Sequence, residues 1–324
     1  MKDKKIVDIT LVIPTCNRSS DILSSLESYF SGISLPSEII VVDQSNDCEH
    51  EIISNGINKL NEKFNIINLI RINEKSSTKA RNVGLIKAKN DIVVFSDDDV
   101  NIYKDTIGET FKIMSRDDYG MCGGLDKHNK YHSNFLSSFL SCLVGRKTLN
   151  QIHSGCVTKS IYGSYPYKTI NKETNTKWAM GYYFSIKKTF AFKRNLYFDE
   201  KMSEYAYGED LDYTYRYWRE CKKEGLKCVL TPEIAVYHLV SNSNRLATQE
   251  MYLKNCINRL YLSHKLFPKK ISARFAYKWA NFCTGLRLIF KKSEHSMWMK
   301  ACKKAKQNKD KLKNGIIENS MYKF

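Results

Sequence analysis

Three consecutive carboxylates, Asp97-Asp98-Asp99, are the residues of this chain best equipped for chemistry. They follow Ile92-Val93-Val94-Phe95, an apolar run rich in β-branched types that reads as a buried strand. Adjacent like charges repel, so three at a strand end call for a positive partner. A hard divalent cation with oxygen ligands is the natural one, and such a cation attracts phosphates. The stretch therefore predicts a metal-dependent enzyme acting on a nucleotide-linked substrate. Taken alone, an acidic run at a strand end also fits a solvated loop. A second acidic pair, Glu209-Asp210, opens an amphipathic segment after Gly208 and also fits plain helix-start charge.

The elements that must position these groups alternate. Ile9–Ile13 reads as a strand closed by Pro14-Thr15-Cys16-Asn17-Arg18. Ser19-Ser20-Asp21 offers caps for a helix carrying Ile22, Leu23, Leu26, Tyr29 and Phe30, ended by Gly32. Glu38–Val42 is a second strand that runs into Asp43-Gln44-Ser45-Asn46-Asp47, where Asp43 also suits an ordinary turn. A helix over 49–61, a strand from Asn65 to Ile72 and a helix capped by Ser76-Ser77-Thr78 follow, then the strand Asp91–Phe95. Alternating strands and helices imply a mostly parallel sheet flanked by helices, with ligands beyond the carboxyl ends of the strands. Three such ends carry polar clusters here. Beyond residue 100 the pattern loosens. Met121–Gly124 reads as a short strand and turn, Trp178–Ile186 as a strand containing Gly181, residues 187–196 as helical, and Lys227–Leu230 and Ile234–Tyr237 as strands before His238. Trp178, Gly181 and Tyr182 are assigned to a second-substrate (acceptor) site, because ring-shaped ligands stack on aromatic faces, although aromatics at a strand also suit a core.

In this order the segments Ile13–Arg18, Val42-Asp43, Lys79-Ala80-Arg81-Asn82-Val83-Gly84, Asp97–Asp99 and Gly208-Glu209-Asp210 resemble glycosyltransferase family 2 over roughly residues 6–245. The resemblance implies a GT-A (Rossmann-like) fold and an inverting nucleotide-sugar glycosyltransferase, with UDP as the expected carrier. It implies a donor nucleotide held by Pro14, Thr15, Asn17, Arg18, Asp43, Lys79, Arg81, Asp97 and Asp98. It implies Mn²⁺ or Mg²⁺ on Asp99, with His238 as a further ligand, although a histidine after a strand also suits a structural role. Asp210, beside Glu209, matches the family's catalytic base, and its place in a helix's first turn predicts a low pKa. Asp98 is expected to be the most expendable of the three aspartates. The segment Glu74–Thr78, Ser96 and Tyr197-Phe198-Asp199-Glu200 depart from the usual pattern. The Gln-x-x-Arg-Trp segment of processive synthases is absent from the sequence, which predicts single addition. The resemblance also implies a lipid-linked or polysaccharide acceptor in bacterial surface glycan synthesis.

The chain has 324 residues, 42% hydrophobic and 12% aromatic, which suits a globular enzyme. Its net charge of +18 is uneven: Ala247–Phe324 holds 18 basic and 4 acidic residues. We therefore divide the chain into a catalytic domain, 1–246, and a basic, mainly helical extension, 247–324, with the Lys-dense stretch 300–314 open to disorder. Ile271, Phe275, Trp279, Phe282, Leu286 and Ile289 recur at helical spacing, with Arg274 and Lys278 on another face. That pattern fits an anionic membrane surface along residues 265–313, and equally a helix packed on the body. The ten cysteines show no paired spacing, no run of apolar residues is long enough to span a bilayer, and Met1–Lys5 begins no signal peptide. The expected location is cytoplasmic, peripheral at the inner face of the cell membrane. Two other functions compete. A sugar nucleotidyltransferase of related fold would need a Gly-rich loop where Pro14–Arg18 has no glycine. A nucleic-acid-binding protein would use the basic tail, but no recognised module is present and no nucleic acid partner is expected.

Overall fold

The computed structural model describes residues 4–128, 135–147, 154–166, 170–202, 207–239 and 247–323. The first half follows the alternating pattern. It runs β1 (Lys5–Thr15), α1 (Ser19–Ser31), β2 (Ser34–Asp43), α2 (Asp47–Phe64), β3 (Ile67–Arg71), α3 (Ser77–Lys87) and β4 (Ile92–Ser96). Then come β5 (Val100–Ile102), α4 (Thr106–Met114), β6 (Tyr119–Asp126), α5 (Phe135–Leu143), and the short strands β7 (Cys156–Val157), β8 (Gly163–Ser164) and β9 (Thr174–Asn175). The remainder is β10 (Tyr183–Lys187), α6 (Lys188–Lys193), α7 (Glu209–Lys223), β11 (Lys227–His238), α8 (Thr248–Leu266), α9 (Ile271–Leu288), α10 (Lys292–Gln307) and α11 (Lys309–Lys313).

Among the described residues one large sheet has the order β3-β2-β1-β4-β10-β6-β11-β5, with β9 beside β11. The β3-β2-β1-β4 half is parallel. Beyond it β10 runs antiparallel to both β4 and β6, β11 is parallel to β6, and β5 is antiparallel to β11. The sheet is thus parallel where the alternation predicted it and mixed beyond. The central strands are apolar on both faces, as a sheet covered by helices requires: Leu11, Val12, Val94 and Phe95 are all buried. Each such side chain contributes roughly 1.5–3 kcal/mol on burial. Helix α3 lies so close to β1 that a Cβ on Gly84 would stand 2.2 Å from Val12 Cγ1, which leaves room only for glycine.

Several local expectations change. The strand expected over Trp178–Ile186 begins only at Tyr183, and Gly181-Tyr182 form a turn. The two strands around Pro232 are one strand with a register shift between Leu230 and Ala235. Helix α1 has no side-chain cap from Ser19, Ser20 or Asp21; its first residue's N–H donates instead to Glu49. Ser76 does cap α3, accepting from the Lys79 N–H. The stretch 300–314 lies mainly in α10 and α11 and is ordered as helix.

Helices α8 to α11 are joined to the body by shared packing. Leu253, Ile257, Leu260 and Leu262 of α8 sit in one apolar cluster with Leu125, Trp178, Leu211 and Leu230. Lys265 Nζ bridges Asp199 Oδ2 (2.6 Å) and the buried Asp212 Oδ2 (2.7 Å), tying α8 to α7.

Candidate functional site

The site lies at the sheet edge where β1, β2 and β4 end. Their parallel register sets Thr15 opposite Asp43 and Val12 opposite Phe95, so the three polar clusters emerge side by side. The antiparallel β10 starts at that edge, with Tyr183 opposite Ser96. Strand β6, parallel to β11, brings Asp126 there, and β11 brings His238 opposite Val100.

The first two loops are stitched together. Asn17 takes a left-handed backbone (φ 54°), which asparagine tolerates, and its N–H donates to Ser45 Oγ. Its side-chain oxygen accepts from Asn46 N–H at 2.8 Å. The fully buried Asp43 accepts from Ser45 N–H, and its other oxygen lies 2.5 Å from His50 Nδ1. His50 escaped the sequence reading, since a histidine seven residues on carries no signal of its own.

The three aspartates differ. Asp98 is buried, accepts from Thr15 Oγ1 (2.7 Å) and pairs with Arg18 Nη1 (3.0 Å). Burial pushes its carboxyl up to about 7, against the pull of Arg18 and Thr15. It therefore anchors the first loop to the acidic turn, a tie of which spacing along the chain carries no sign, in the aspartate expected to be the most expendable. Asp97 is half-exposed and keeps one oxygen on Arg81 Nη2 at 2.6 Å. Asp99 lies 3.3 Å from His238 Nε2. Burial opposes charge on that imidazole, but Asp99, Asp97 and Asp126 outweigh it and hold its pKa above the ordinary value.

One ligand atom from each of Asp97, Asp99 and His238 lies within 4.8 Å of the others. Two carboxylate oxygens and an imidazole nitrogen are a donor set that suits Mn²⁺ or Mg²⁺. Asp126, which the sequence reading passed over, steadies this corner. It is buried and accepts from the His128 and His238 N–H groups at 3.0 and 3.4 Å. The signal was available: a carboxylate ends another strand at the same edge.

Behind the acidic turn stands Arg81, buried on α3. It donates to Glu209 Oε1 (2.6 Å), Asp97 Oδ1 (2.6 Å) and Gly181 O (3.2 Å). Asp210 completes the group, accepting from Gly181 N–H through Oδ2 (2.9 Å) and from Leu211 N–H through Oδ1 (2.7 Å). Burial raises the Asp210 pKa; the two backbone donors and Arg81 oppose this without cancelling it. That reverses the low value expected from a helix's first turn, because desolvation outweighs the dipole. Glu209 is pushed further, to about 8, by burial against the pull of Arg81. One guanidinium cannot neutralise Asp97, Glu209 and Asp210 together, and among the described residues Glu209 Oε2 is buried with no partner. Glu209 is therefore the carboxyl that keeps its proton.

The remaining residues of the sequence reading fall outside this centre. Lys79 is exposed and pairs with Glu74. Trp178 is 5% exposed, with its Nε1 on Ser164 O and its ring beside Tyr165. Tyr182 is equally buried, donates to Gly124 O and lies against His238. Neither ring presents a face on which a sugar could stack, so the expected aromatic platform is corrected to interior packing. Gly181 does reach the centre, through its backbone.

Comparison with known proteins bears on the family and the fold. A family model described as "Glycosyl transferase family 2" matches residues 10–196. Among solved structures, the chain is similar to mannosyltransferase PcManGT from Pyrobaculum calidifontis, in complex with GDP-Man and Mn²⁺. The TM-score is 0.58 at 13% identity, covering 95% of this chain and 89% of that one. It is also similar to GalNAc-T7 with UDP, GalNAc and Mn²⁺, with a TM-score of 0.53 at 16% identity, covering 86% of this chain and 54% of that one. No curated protein matches the chain.

Proposed function

The chain belongs to glycosyl transferase family 2, and from that premise we propose a metal-assisted, inverting, single-addition enzyme that uses a nucleoside-diphosphate sugar. UDP is the proposed carrier, and the acceptor is a hydroxyl of a lipid-linked or polysaccharide glycan destined for a bacterial surface. The enzyme works as a peripheral protein at the inner face of the cell membrane. The catalytic domain is residues 1–246, and 247–324 is its basic extension. The observation that carries the reading is the convergence of Asp97, Asp99 and His238 within 4.8 Å beside the Arg81–Glu209–Asp210 group.

The nucleotide would lie over the ends of β1 and β2, against Pro14, Thr15, Asn17, Arg18 and Asp43. Asp97, Asp99 and His238 would hold a divalent cation, which when bound supplies charge neutralisation to the departing diphosphate. Arg81 keeps Asp97 in place and fixes the Gly181 carbonyl. Asp210 is held at both oxygens by backbone N–H groups, so its orientation is set before substrate arrives. Its burial gives it more basicity than a solvent-exposed aspartate has, which suits a general base. In a single displacement the acceptor oxygen forms its bond to the anomeric carbon as the bond to the diphosphate breaks. Asp210 takes the hydroxyl proton, and the nucleoside diphosphate leaves.

The test is a thermal-shift screen of nucleotide-sugars with Mn²⁺, followed by donor hydrolysis. A ligand of the folded state raises the melting temperature. Asp99→Ala should remove both the metal-dependent shift and the hydrolysis, and full activity in that variant would overturn the assignment.

A further inference from the structure

The extension carries a surface that the chemistry of the site does not explain. Helix α9 buries Ala273, Tyr277, Ala280, Thr284 and Leu288 against its neighbours, so its inner face is already covered. The opposite face exposes Phe275, Trp279, Phe282 and Leu286, and Phe290 just beyond the helix is 96% exposed. Helix α5 extends this face. Leu140 and Leu143 are exposed, and Trp279 Nε1 donates to Leu143 O at 2.7 Å, which joins the two helices edge to edge. Soluble chains seldom leave so many large apolar side chains together in water.

Charge identifies the occupant. From Pro268 to Ser293 the chain has seven basic residues and no acidic one. Lys269 and Lys270 precede α9, Lys278 and Arg287 lie on it and Lys292 follows, while Arg274 donates to the Phe267 and Pro268 carbonyls and Lys291 pairs with Glu294. A second copy docked through this face would set lysines and arginines against their own images, since a two-fold interface is self-complementary. An anionic bilayer accepts both features at once: apolar side chains enter the headgroup–acyl boundary while cations meet phosphates. Among the described residues no helix is long and apolar enough to cross a membrane, so the contact is an in-plane one.

We propose that α9, with the edge of α5, is a membrane-docking face that lies in the plane of an anionic phospholipid surface. This deepens the peripheral placement given above and rests on it.

The experiment is co-sedimentation of the full chain with phosphatidylglycerol–phosphatidylcholine vesicles and with pure phosphatidylcholine vesicles. Binding to the anionic vesicles is expected to be at least about tenfold tighter, and to weaken with added salt. The double variant Phe275→Asp/Phe290→Asp should lose at least about tenfold of that binding while keeping its circular dichroism, melting temperature and donor hydrolysis in solution. Trp279 fluorescence should be quenched by brominated lipid, and Trp279→Phe should remove that quenching. A folded wild-type chain that stays in the supernatant overturns the proposal, as does a double variant that binds as well as wild type. A lipid-free dimer broken by the same double variant would assign the face to a second copy and also overturn it. Failure of donor hydrolysis in the wild type would instead count against the glycosyl-transfer reading, and vesicle binding would remain readable.

Discussion

Arg81 and Glu209, 128 residues apart in sequence, meet at 2.6 Å between Nη1 and Oε1, both nearly out of reach of water. The contact joins the helix after β3 to the helix carrying the proposed base. The same guanidinium holds Asp97 and the Gly181 carbonyl. Arg81→Ala would take the counter-charge from Asp97 and the buried Asp210 and leave the Glu209 carboxyl and the Gly181 carbonyl without their donor. We expect a loss of about 3–5 kcal/mol in stability, read by urea unfolding, together with loss of activity. Arg81→Lys should recover part of the stability but not the activity, because one ammonium cannot reproduce the fork that reaches three acceptors.

The proton on Glu209 makes a pH prediction with a definite sign. Its pKa is raised from its ordinary 4.5 to about 8 in the folded protein. Between those values the native state keeps a proton that the unfolded chain has released. Stability from this group is therefore fully present below pH 4.5 and is lost as pH rises through about 8. The total effect is on the order of 5 kcal/mol. Glu209→Gln, which is neutral at every pH, should flatten the profile between about pH 5 and 8, as measured by urea unfolding. An equally steep profile in the variant would place the proton elsewhere.

Asp210→Asn keeps an acceptor for one backbone N–H but removes the basic oxygen. Turnover should fall roughly 10²- to 10⁴-fold, while donor affinity changes little and the melting temperature falls modestly because one buried N–H loses its acceptor. Isothermal titration with the donor and steady-state transfer assays separate the two effects.

A side chain at Gly181 would crowd the two groups on either side of it. A Cβ there would stand 3.2 Å from Arg81 Nη1 and 3.3 Å from Asp210 Cβ. The backbone angle is not in the left-handed region, so the cost of Gly181→Ala is steric. Transfer should drop on the order of ten- to hundredfold through displacement of Arg81 and Asp210, with the fold retained by circular dichroism.

His238→Ala should weaken Mn²⁺ affinity by at least about tenfold, by removing an orienting donor from the site. Asp126→Asn, one step further out, should weaken it less. Both are read by titration of the Mn²⁺ electron-spin signal. Equal affinity in wild type and His238→Ala would take the histidine out of the ligand set.

Much of this was legible in the residues. Hydrophobic runs closed by polar clusters located β1, β2 and β4, and helical spacing located α1, because burial of one face imposes those periods locally, while a cap located α3. The acidic turn, Arg81, Asp210 and His238 were all nameable from their segments. So was the apolar stripe of α9, down to Ile271, Phe275, Trp279, Phe282, Leu286 and Ile289. Only the fold decided that this stripe faces outward, because α8 and α10 cover the other side. Only the fold separated the three aspartates, by giving Asp98 to Thr15 and Arg18, and turned Trp178 and Tyr182 inward. Spacing along the chain reports what a segment can bury. Charge state and partnership depend on what other segments bring to the same place, and the Arg81–Glu209 pair exists only once α3 and α7 are brought together.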